Sequence, residues 1–306
     1  MFVVKYRKIW FMLSAAMLAV SFYGIFVNGF NLSIDFKGGT LTEVSYGETR
    51  PEKLALENKI EELGLGGFSV RPSGVGSYII RTQELTEVQR ASLSQALSVD
   101  ETISPVIKRQ NTIGPVAGSE LKSKAFKAIA VVVLMIVLFV SFAFRKVSEP
   151  VSSWKFGLAT IVALFHDVVI PTGVFVFLGK YFGTEIDLLF VTGLLAILGY
   201  SVHDTIVVFD RVRENLRLNK EKGKKVDFEY TVGNSVQQTF ARSINTSLTI
   251  FITLLALYLF GGETTKDFAL LLIVGVIAGT YSSIFVASPL LVTFQKLQKW
   301  RISNKV

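Results

Sequence analysis

Gly199-Tyr200-Ser201-Val202-His203-Asp204-Thr205-Ile206-Val207-Val208-Phe209-Asp210-Arg211 decides how this chain is read. The segment closes an apolar run, 187–209, that is long enough to cross a bilayer as a helix, yet it carries an ionisable His-Asp pair. A carboxylate on a lipid-embedded helix costs about 2.5–3.5 kcal/mol on insertion scales, so its default meaning is functional. The two histidines of the chain, His166 and His203, are each followed by aspartate, and both pairs fall inside predicted spans. The pattern points away from a soluble enzyme and towards a membrane protein that moves charge, protons first.

The rest of the chain supports that class. Half of the residues are hydrophobic, a membrane-protein composition. Apolar runs cover 9–29, 126–144, 156–179, 187–209, 246–260 and 268–294, and most approach the ~20 residues that span a bilayer as helix. The fifth is short and needs the Ser/Thr-rich stretch Ser243 to Thr249 to reach across. The first is too long for a cleaved signal peptide and lacks a small-residue cleavage site, which predicts a retained anchor.

Short-loop charges set the orientation. Lys5, Arg7 and Lys8 precede the first span, and Arg145 and Lys146 follow the second. Arg211, Arg213, Arg217, Lys220, Lys222, Lys224, Lys225 and Arg242 lie between the fourth and fifth, and Lys296, Lys299, Arg301 and Lys305 close the chain. The opposite short loops carry only Lys180 and Lys266. This asymmetry predicts both termini in the cytoplasm. The net charge of +8 then reflects topology and anionic lipid at the inner leaflet, and calls for no nucleic acid. There is no cysteine, so disulfides and thiolate sites are excluded. A Walker-type Gly-rich Lys loop is missing too, which argues against ATP hydrolysis. No cofactor or metal is expected.

The predicted organisation is an N-terminus with helix 1 over 1–29, an extracytoplasmic domain over 30–125, a five-helix bundle over 126–294 with a cytoplasmic basic loop at 210–243, and a cytoplasmic tail over 295–306. Within 30–125, Thr40–Tyr46 alternates like a strand and Pro51–Leu63 reads as a helix with Pro in its first turn. Phe68–Arg71 and Tyr78–Thr82 read as strands around Pro72-Ser73-Gly74-Val75-Gly76. Thr86–Leu97 reads as a helix capped by Thr86, and Ile103–Lys108 as a last strand. That order is the split βαβ, ferredoxin-like pattern. The fold class is therefore an α-helical integral membrane protein of six transmembrane helices with a small α+β ferredoxin-like domain between helices 1 and 2. With no His or Cys, that domain is a poor candidate for catalysis, and a sheet edge or face that meets a polypeptide is its more natural use. Phe228, Val232, Val236 and Phe240 form one helical stripe, read as a helix along the inner leaflet.

Several stretches resemble the SecF family, the smaller partner of SecD in the accessory complex of the bacterial Sec translocon. Ser33-Ile34-Asp35-Phe36-Lys37-Gly38-Gly39-Thr40 resembles the signature after the first span, and Thr112-Ile113-Gly114-Pro115-Val116-Ala117-Gly118-Ser119-Glu120-Leu121 the one before the second. Gly199–Asn215 resembles the motif of the fourth span; Leu259-Phe260-Gly261-Gly262 and Gly279-Thr280-Tyr281-Ser282-Ser283-Ile284-Phe285 complete the set. The matches run in order from about residue 31 to 291. The resemblance implies a resistance-nodulation-division-like six-helix fold in the cytoplasmic membrane, a SecD partner, contact with the SecYEG channel and a translocating preprotein, and proton-driven assistance to export. The family often carries Asn where this chain has His203.

The candidate residues follow. Asp204 is the leading proton carrier; counting from Leu188 it lies roughly 24 Å along its helix at ~1.5 Å per residue. Tyr200 and Arg211 share its helix face. The resemblance points to Arg242 as the cation that pairs with it. Asp167 comes second, with Thr160, Ala163 and Pro171 on its face and Pro171 loosening the helix one turn beyond. His166 is either a relay or a structural histidine. His203, read as either a member of the proton path or a structural histidine, adjoins Asp204 but points ~100° away around the helix. Asp35, Gly38 and Gly39 read as a hinge or a tight turn at the membrane exit. Gly275-x-x-x-Gly279, with Ser282 and Ser283 beyond, reads as a helix contact face only. Six spans without an internal repeat call for a second six-helix unit around a midplane path. Two other functions compete: a small-molecule exporter of the same superfamily, for which the outer domain offers little pocket, and a non-conducting scaffold of the translocon.

Overall fold

The computed structural model describes residues 2–48, 50–98, 105–145, 152–223 and 226–303. Lys146, Lys224, Lys225 and Lys305, which enter the charge asymmetry, lie outside the described residues, as do Ile103 and Ser104 of the last predicted strand. In chain order the elements are α1 (Phe2–Lys5), α2 (Arg7–Asn28), α3 (Ile34–Lys37), β1 (Gly39–Ser45), α4 (Lys53–Glu61), β2 (Ser69–Ser73), β3 (Ser77–Thr82), α5 (Glu87–Ala96), β4 (Val106–Ile113), α6 (Pro115–Ala143), α7 (Ser153–Phe182), α8 (Leu188–Glu221), α9 (Phe228–Phe260), α10 (Glu263–Ser282), a π-helical turn (Ser283–Ala287) and α11 (Ser288–Ser303). Among the described residues six helical runs are long and apolar enough to cross a membrane: Arg7–Asn28, Pro115–Ala143, Trp154–Phe182, Leu188–Glu221, Phe228–Phe260 and Thr265–Gln298.

The chain divides into two compact units, one of residues 1–29, 128–180 and 189–306, the other of 30–127 and 181–188. The first is the helical bundle. Its core is aromatic where α7, α8 and the end of α6 meet: Phe144 stacks on Phe156 at 5.2 Å, and Phe209 meets Phe156 edge-on at 5.2 Å. All three rings are buried, and such pairs add about 0.5–1.5 kcal/mol each beyond their buried area. Glycines let α10 lie close to α8. A Cβ on Gly275 would come within 2.2 Å of Ile197, and one on Gly279 within 3.2 Å of Ser201. The Gly275-x-x-x-Gly279 spacing thus works as a contact face.

Two expectations change here. The segment 210–243 is helical over most of its length, since α8 runs on to Glu221 and α9 starts at Phe228. Ion pairs one turn apart support the polar extension: Asp210 with Arg213, Arg211 with Glu214 at 2.6 Å, and Arg217 with Glu221 at 3.2 Å. The stripe Phe228, Val232, Val236 and Phe240 turns its first three side chains inward, while Phe240 is 40% exposed. The stripe belongs to the continuous helix α9, and those three side chains are buried in the bundle core.

The second unit is a four-stranded antiparallel sheet in the order β2-β3-β1-β4, the strand order of the predicted ferredoxin-like pattern. Val44, Ile80 and Val70 on the sheet pack with Leu56 and Ile60 of α4 and Leu93 of α5. Thr86 caps α5 in a capping box with Gln89, which satisfies donors that a helix start leaves free. The buried Tyr46 hydroxyl donates to Leu97 O at 2.9 Å, and burial, then the neighbouring Tyr78, push its phenol up to about 12. The last strand runs Val106–Ile113, five residues beyond the predicted end at Lys108, because Arg109–Ile113 pair with β1 past a register shift at Lys108, although most of their side chains are polar.

The α7–α8 connection, 181–188, is part of this second unit. Leu32 and Ile186 form a parallel bridge, with Ser33 N–H to Ile186 O at 3.0 Å and Ile186 N–H to Asn31 O at 2.8 Å. The Asn31 amide donates to Gly183 O and Thr184 O, both at 3.2 Å. Arg71 donates to Phe182 O at 2.8 Å, and Arg81 pairs with Glu185 at 2.7 Å. Burial nonetheless outweighs Arg81, Arg71 and Lys37, with Asp187 adding to it, and raises Glu185 to about 6.

Candidate ion-coupling site

Four helical elements of the bundle bring polar side chains into its apolar interior. From α7 come His166 and Asp167, and from α8 Tyr200, Ser201, Asp204 and Thr205. Ser243 and Ser247 come from α9; Thr280, Tyr281 and Ser282 from α10, followed by Ser283 in the π turn. The helical repeat puts Tyr200 with Asp204, Ser201 with Thr205, and Ser243 with Ser247 on common faces. The π turn inserts one extra residue next to Ser283, a feature frequent at functional sites, and Ser288 Oγ reaches back to Ser283 O at 3.0 Å.

Asp167 is fully buried and saturated with partners. His166 Nδ1 lies 2.9 Å from its Oδ1, while Ser201 Oγ and Ser282 Oγ both donate to Oδ2, the latter at 2.7 Å. The His166 ring stacks on Tyr281 at 5.7 Å, and Tyr281 donates to Trp10 O at 2.8 Å. Pro171, one turn further along α7, removes the N–H that would otherwise bond Asp167 O.

Asp204 is different. It is 5% exposed, and its Oδ2 is buried without a hydrogen-bond partner among the described residues. Ser243 and Ser283 face its carboxyl, with His203 as a further electrostatic neighbour. Ser243 Oγ is also buried and unpartnered, as is His166 Nε2. Ser283 links the two carboxylate regions: its hydroxyl lies 2.8 Å from Thr205 Oγ1 and donates to Ser201 O at 3.4 Å. Beside them, Tyr200 OH, Ser247 Oγ and Thr280 Oγ1 form a chain with 2.6 Å links on either side of Ser247.

Ser283, which faces Asp204, thus bonds the backbone carbonyl of Ser201, the residue whose hydroxyl binds Asp167. His203 and Arg242 are exposed on the surfaces of α8 and α9, and neither is hydrogen-bonded or ion-paired to Asp204 among the described residues. Arg211 bonds Gln238 and Glu214 instead. Asp35, Gly38 and Gly39 lie in the other unit. Ser33 caps α3 by accepting Asp35 N–H at 3.1 Å, and the chain leaves the helix through Gly38 and Gly39, both with positive φ. The readings from sequence missed Ser282, Ser283 and Ser243 as carboxylate neighbours. Adjacent serines in an apolar helix were the available signal.

Six helical runs long and apolar enough to cross a bilayer, with carboxylates buried among them, are the architecture of a multi-pass membrane protein. The profile for "Protein export membrane protein SecD/SecF, C-terminal" matches residues 93–297, and that for the "SecD/SecF GG Motif" matches 23–49. Protein translocase subunit SecF of Thermobaculum terrenum is 39% identical over 99% of this chain and 96% of its own length. The SecF subunit of Anaerolinea thermophila is 36% identical over 96% of this chain. The crystal structure of SecDF, a translocon-associated membrane protein from Thermus thermophilus, superposes with a TM-score of 0.81 at 33% identity, covering 95% of this chain. The chain spans 38% of that SecDF chain. It belongs to the SecD/SecF family of protein-export membrane proteins, as a SecF-type translocase subunit.

Proposed function

We propose that this subunit works with SecD to spend the proton motive force on preprotein movement through the SecYEG channel, with Asp204 as the proton carrier. One observation supports this above the others: Oδ2 of Asp204 is buried and unpartnered in a network of hydroxyls that can both donate and accept. Each proton falling through 100 mV supplies ~2.3 kcal/mol, enough to bias a two-state element. Asp167, held by three side chains, anchors the network.

The SecD partner has its own support. His203 and Arg242 are polar groups on exposed helix surfaces, an expensive arrangement against lipid. A second six-helix unit over that surface would bring Arg242 under cover, where it can serve Asp204. Relatives in which both subunits form one chain, such as SecDF of Thermus thermophilus, 34% identical over 92% of this chain, fit the same arrangement. In this reading both termini are cytoplasmic and 30–125 is extracytoplasmic, with the basic ends of α8 and α9 at anionic lipid. The test is ion flux through proteoliposomes holding the complex with SecD, under separate proton and sodium gradients. Proton flux should fall to the lipid background in Asp204→Asn while SecD stays bound. Unchanged flux would sink the reading.

A further inference from the structure

We propose that Asp35 is a positioning residue that fastens the sheet domain to the first turn of α8, so that a pull on that domain passes along α8 to the Asp204 region. The inference rests on the proton-coupled reading above and adds the mechanical link to it.

The geometry begins at Leu188, the first residue of α8. Its N–H donates to Asp35 Oδ2 at 3.0 Å. Donors in the first turn of a helix have no partner within the helix, and a negative group there is favoured by the helix dipole. A carboxylate from a segment about 150 residues earlier in the chain thus completes the start of the helix that bears Asp204.

Asp35 itself has little freedom. Ser33 Oγ holds its N–H, and α3 ends at Gly38, whose N–H bonds Ile34 O at 2.8 Å. Gly38 and Gly39 have φ of 79° and 134°, conformations that residues with a Cβ resist. They also lie too close to backbone for any side chain. A Cβ on Gly38 would sit 2.9 Å from Pro115 Cα, and one on Gly39 2.5 Å from Thr82 O. The Asp-Phe-Lys-Gly-Gly signature therefore packs Gly38 against Pro115 at the start of α6 and Gly39 against Thr82 of β3, directly after the short helix that carries Asp35.

The receiving side is equally held. Asn31, Ser33, Arg71 and Arg81 each bond the 181–188 segment, as described above. From Leu188 the helix continues to Glu221 with no proline, whereas α7 is interrupted by Pro171. An unbroken helix carries an axial or rotational displacement over the roughly 24 Å to Asp204, at ~1.5 Å per residue, with little loss.

The experiment compares Asp35→Ala with Asp35→Asn in the complex with SecD and the channel, reconstituted in proteoliposomes. Asp35→Ala should cut gradient-stimulated export about tenfold or more while proton flux stays within about twofold, because the carrier is intact but its link is open. Asp35→Asn keeps an oxygen for Leu188 N–H and should retain most of the stimulation. Hydrogen exchange at 186–190 should rise about tenfold in Asp35→Ala and stay near the unmodified rate in Asp35→Asn. If Asp35→Ala fails to assemble, Asn31→Ala, which frees the Gly183 and Thr184 carbonyls, should show the same pattern at smaller size. Export that remains gradient-stimulated in Asp35→Ala, or flux lost together with export, overturns the proposal; so does an asparagine variant as impaired as alanine. An unmodified complex without gradient stimulation would overturn the coupling reading and this inference with it, and the exchange data would separate that failure from a missing fastening.

Discussion

Asp167 and Asp204 lie on neighbouring helices of one bundle, and both are almost fully buried, yet their surroundings differ in kind. Asp167 accepts from two serines and contacts an imidazole. Asp204 has an oxygen that accepts no hydrogen bond among the described residues, although Ser243 and Ser283 face its carboxyl. A fully satisfied buried carboxylate holds helices together, and removing it exposes its partners to the penalty of unmet hydrogen bonds. One with a bare oxygen contributes little to cohesion and can exchange a proton without first breaking a bond at that atom. On the proposed reading, the same residue type serves structure in one pocket and turnover in the other.

The sharpest way to break this contrast is to neutralise each carboxylate in turn. Asp204→Asn should abolish gradient-stimulated export, measured as preprotein protected inside vesicles, while thermal unfolding of the complex stays close to the unmodified value. Asp167→Ala should do the reverse in kind: it leaves Ser201, Ser282 and His166 without their common acceptor, at about 1–3 kcal/mol for each group left unsatisfied. The complex should then melt at markedly lower temperature and accumulate poorly. Equal melting losses for the two variants would erase the distinction.

How far the sequence reaches follows the same line between cohesion and placement. The six spans were legible because bilayer thickness writes itself into run length, and the ferredoxin-like order because alternating strands and a Thr86 cap are local signals. The helical continuation through 210–221 was not, since a polar stretch of helix carries no hydropathy mark. Asp204 and Asp167 stood out as charges in apolar runs. Which of them would be saturated depended on Ser201, Ser282 and Ser283, whose hydroxyls meet the carboxylates only once α7, α8 and α10 pack. The capture of 181–188 by the sheet domain was equally invisible, because it joins Leu32 to Ile186 across most of the chain's first two thirds.

Glu185 extends the comparison outside the membrane spans, as a buried carboxylate that has a partner and still titrates. Its value rises from the ordinary 4.5 to about 6, so the protonated form is favoured in the docked segment. Docking is then strongest below about pH 4.5 and weakens as pH rises through about 6. The difference corresponds to about 2 kcal/mol, or about thirtyfold in the local opening constant. Hydrogen exchange at 183–188, corrected for intrinsic rates, should show that opening fall on acidification from pH 7 to 4. Glu185→Gln should remove the dependence. Opening that increases on acidification would mean that the Arg81 pair governs the segment and burial does not.

The finest test uses the two adjacent serines, since Ser282 belongs to Asp167 and Ser283 to Asp204. Ser282→Ala deletes one of three contacts to a saturated group, and the net worth of such a bond is about 0.5–1.5 kcal/mol. It should lower the melting temperature of the complex slightly and leave the pH profile of gradient-stimulated export in place. Ser283→Ala deletes the hydroxyl that faces Asp204 and bridges to Thr205 and the Ser201 carbonyl. It should leave melting nearly unchanged and shift that pH profile, because the group that exchanges the proton has lost a neighbour that can donate or accept. Two neighbouring hydroxyl deletions of equal size would then give opposite phenotypes, one thermal and one kinetic. If both variants moved only the melting temperature, Asp204 would be a second anchor like Asp167, and the bare oxygen would carry no traffic.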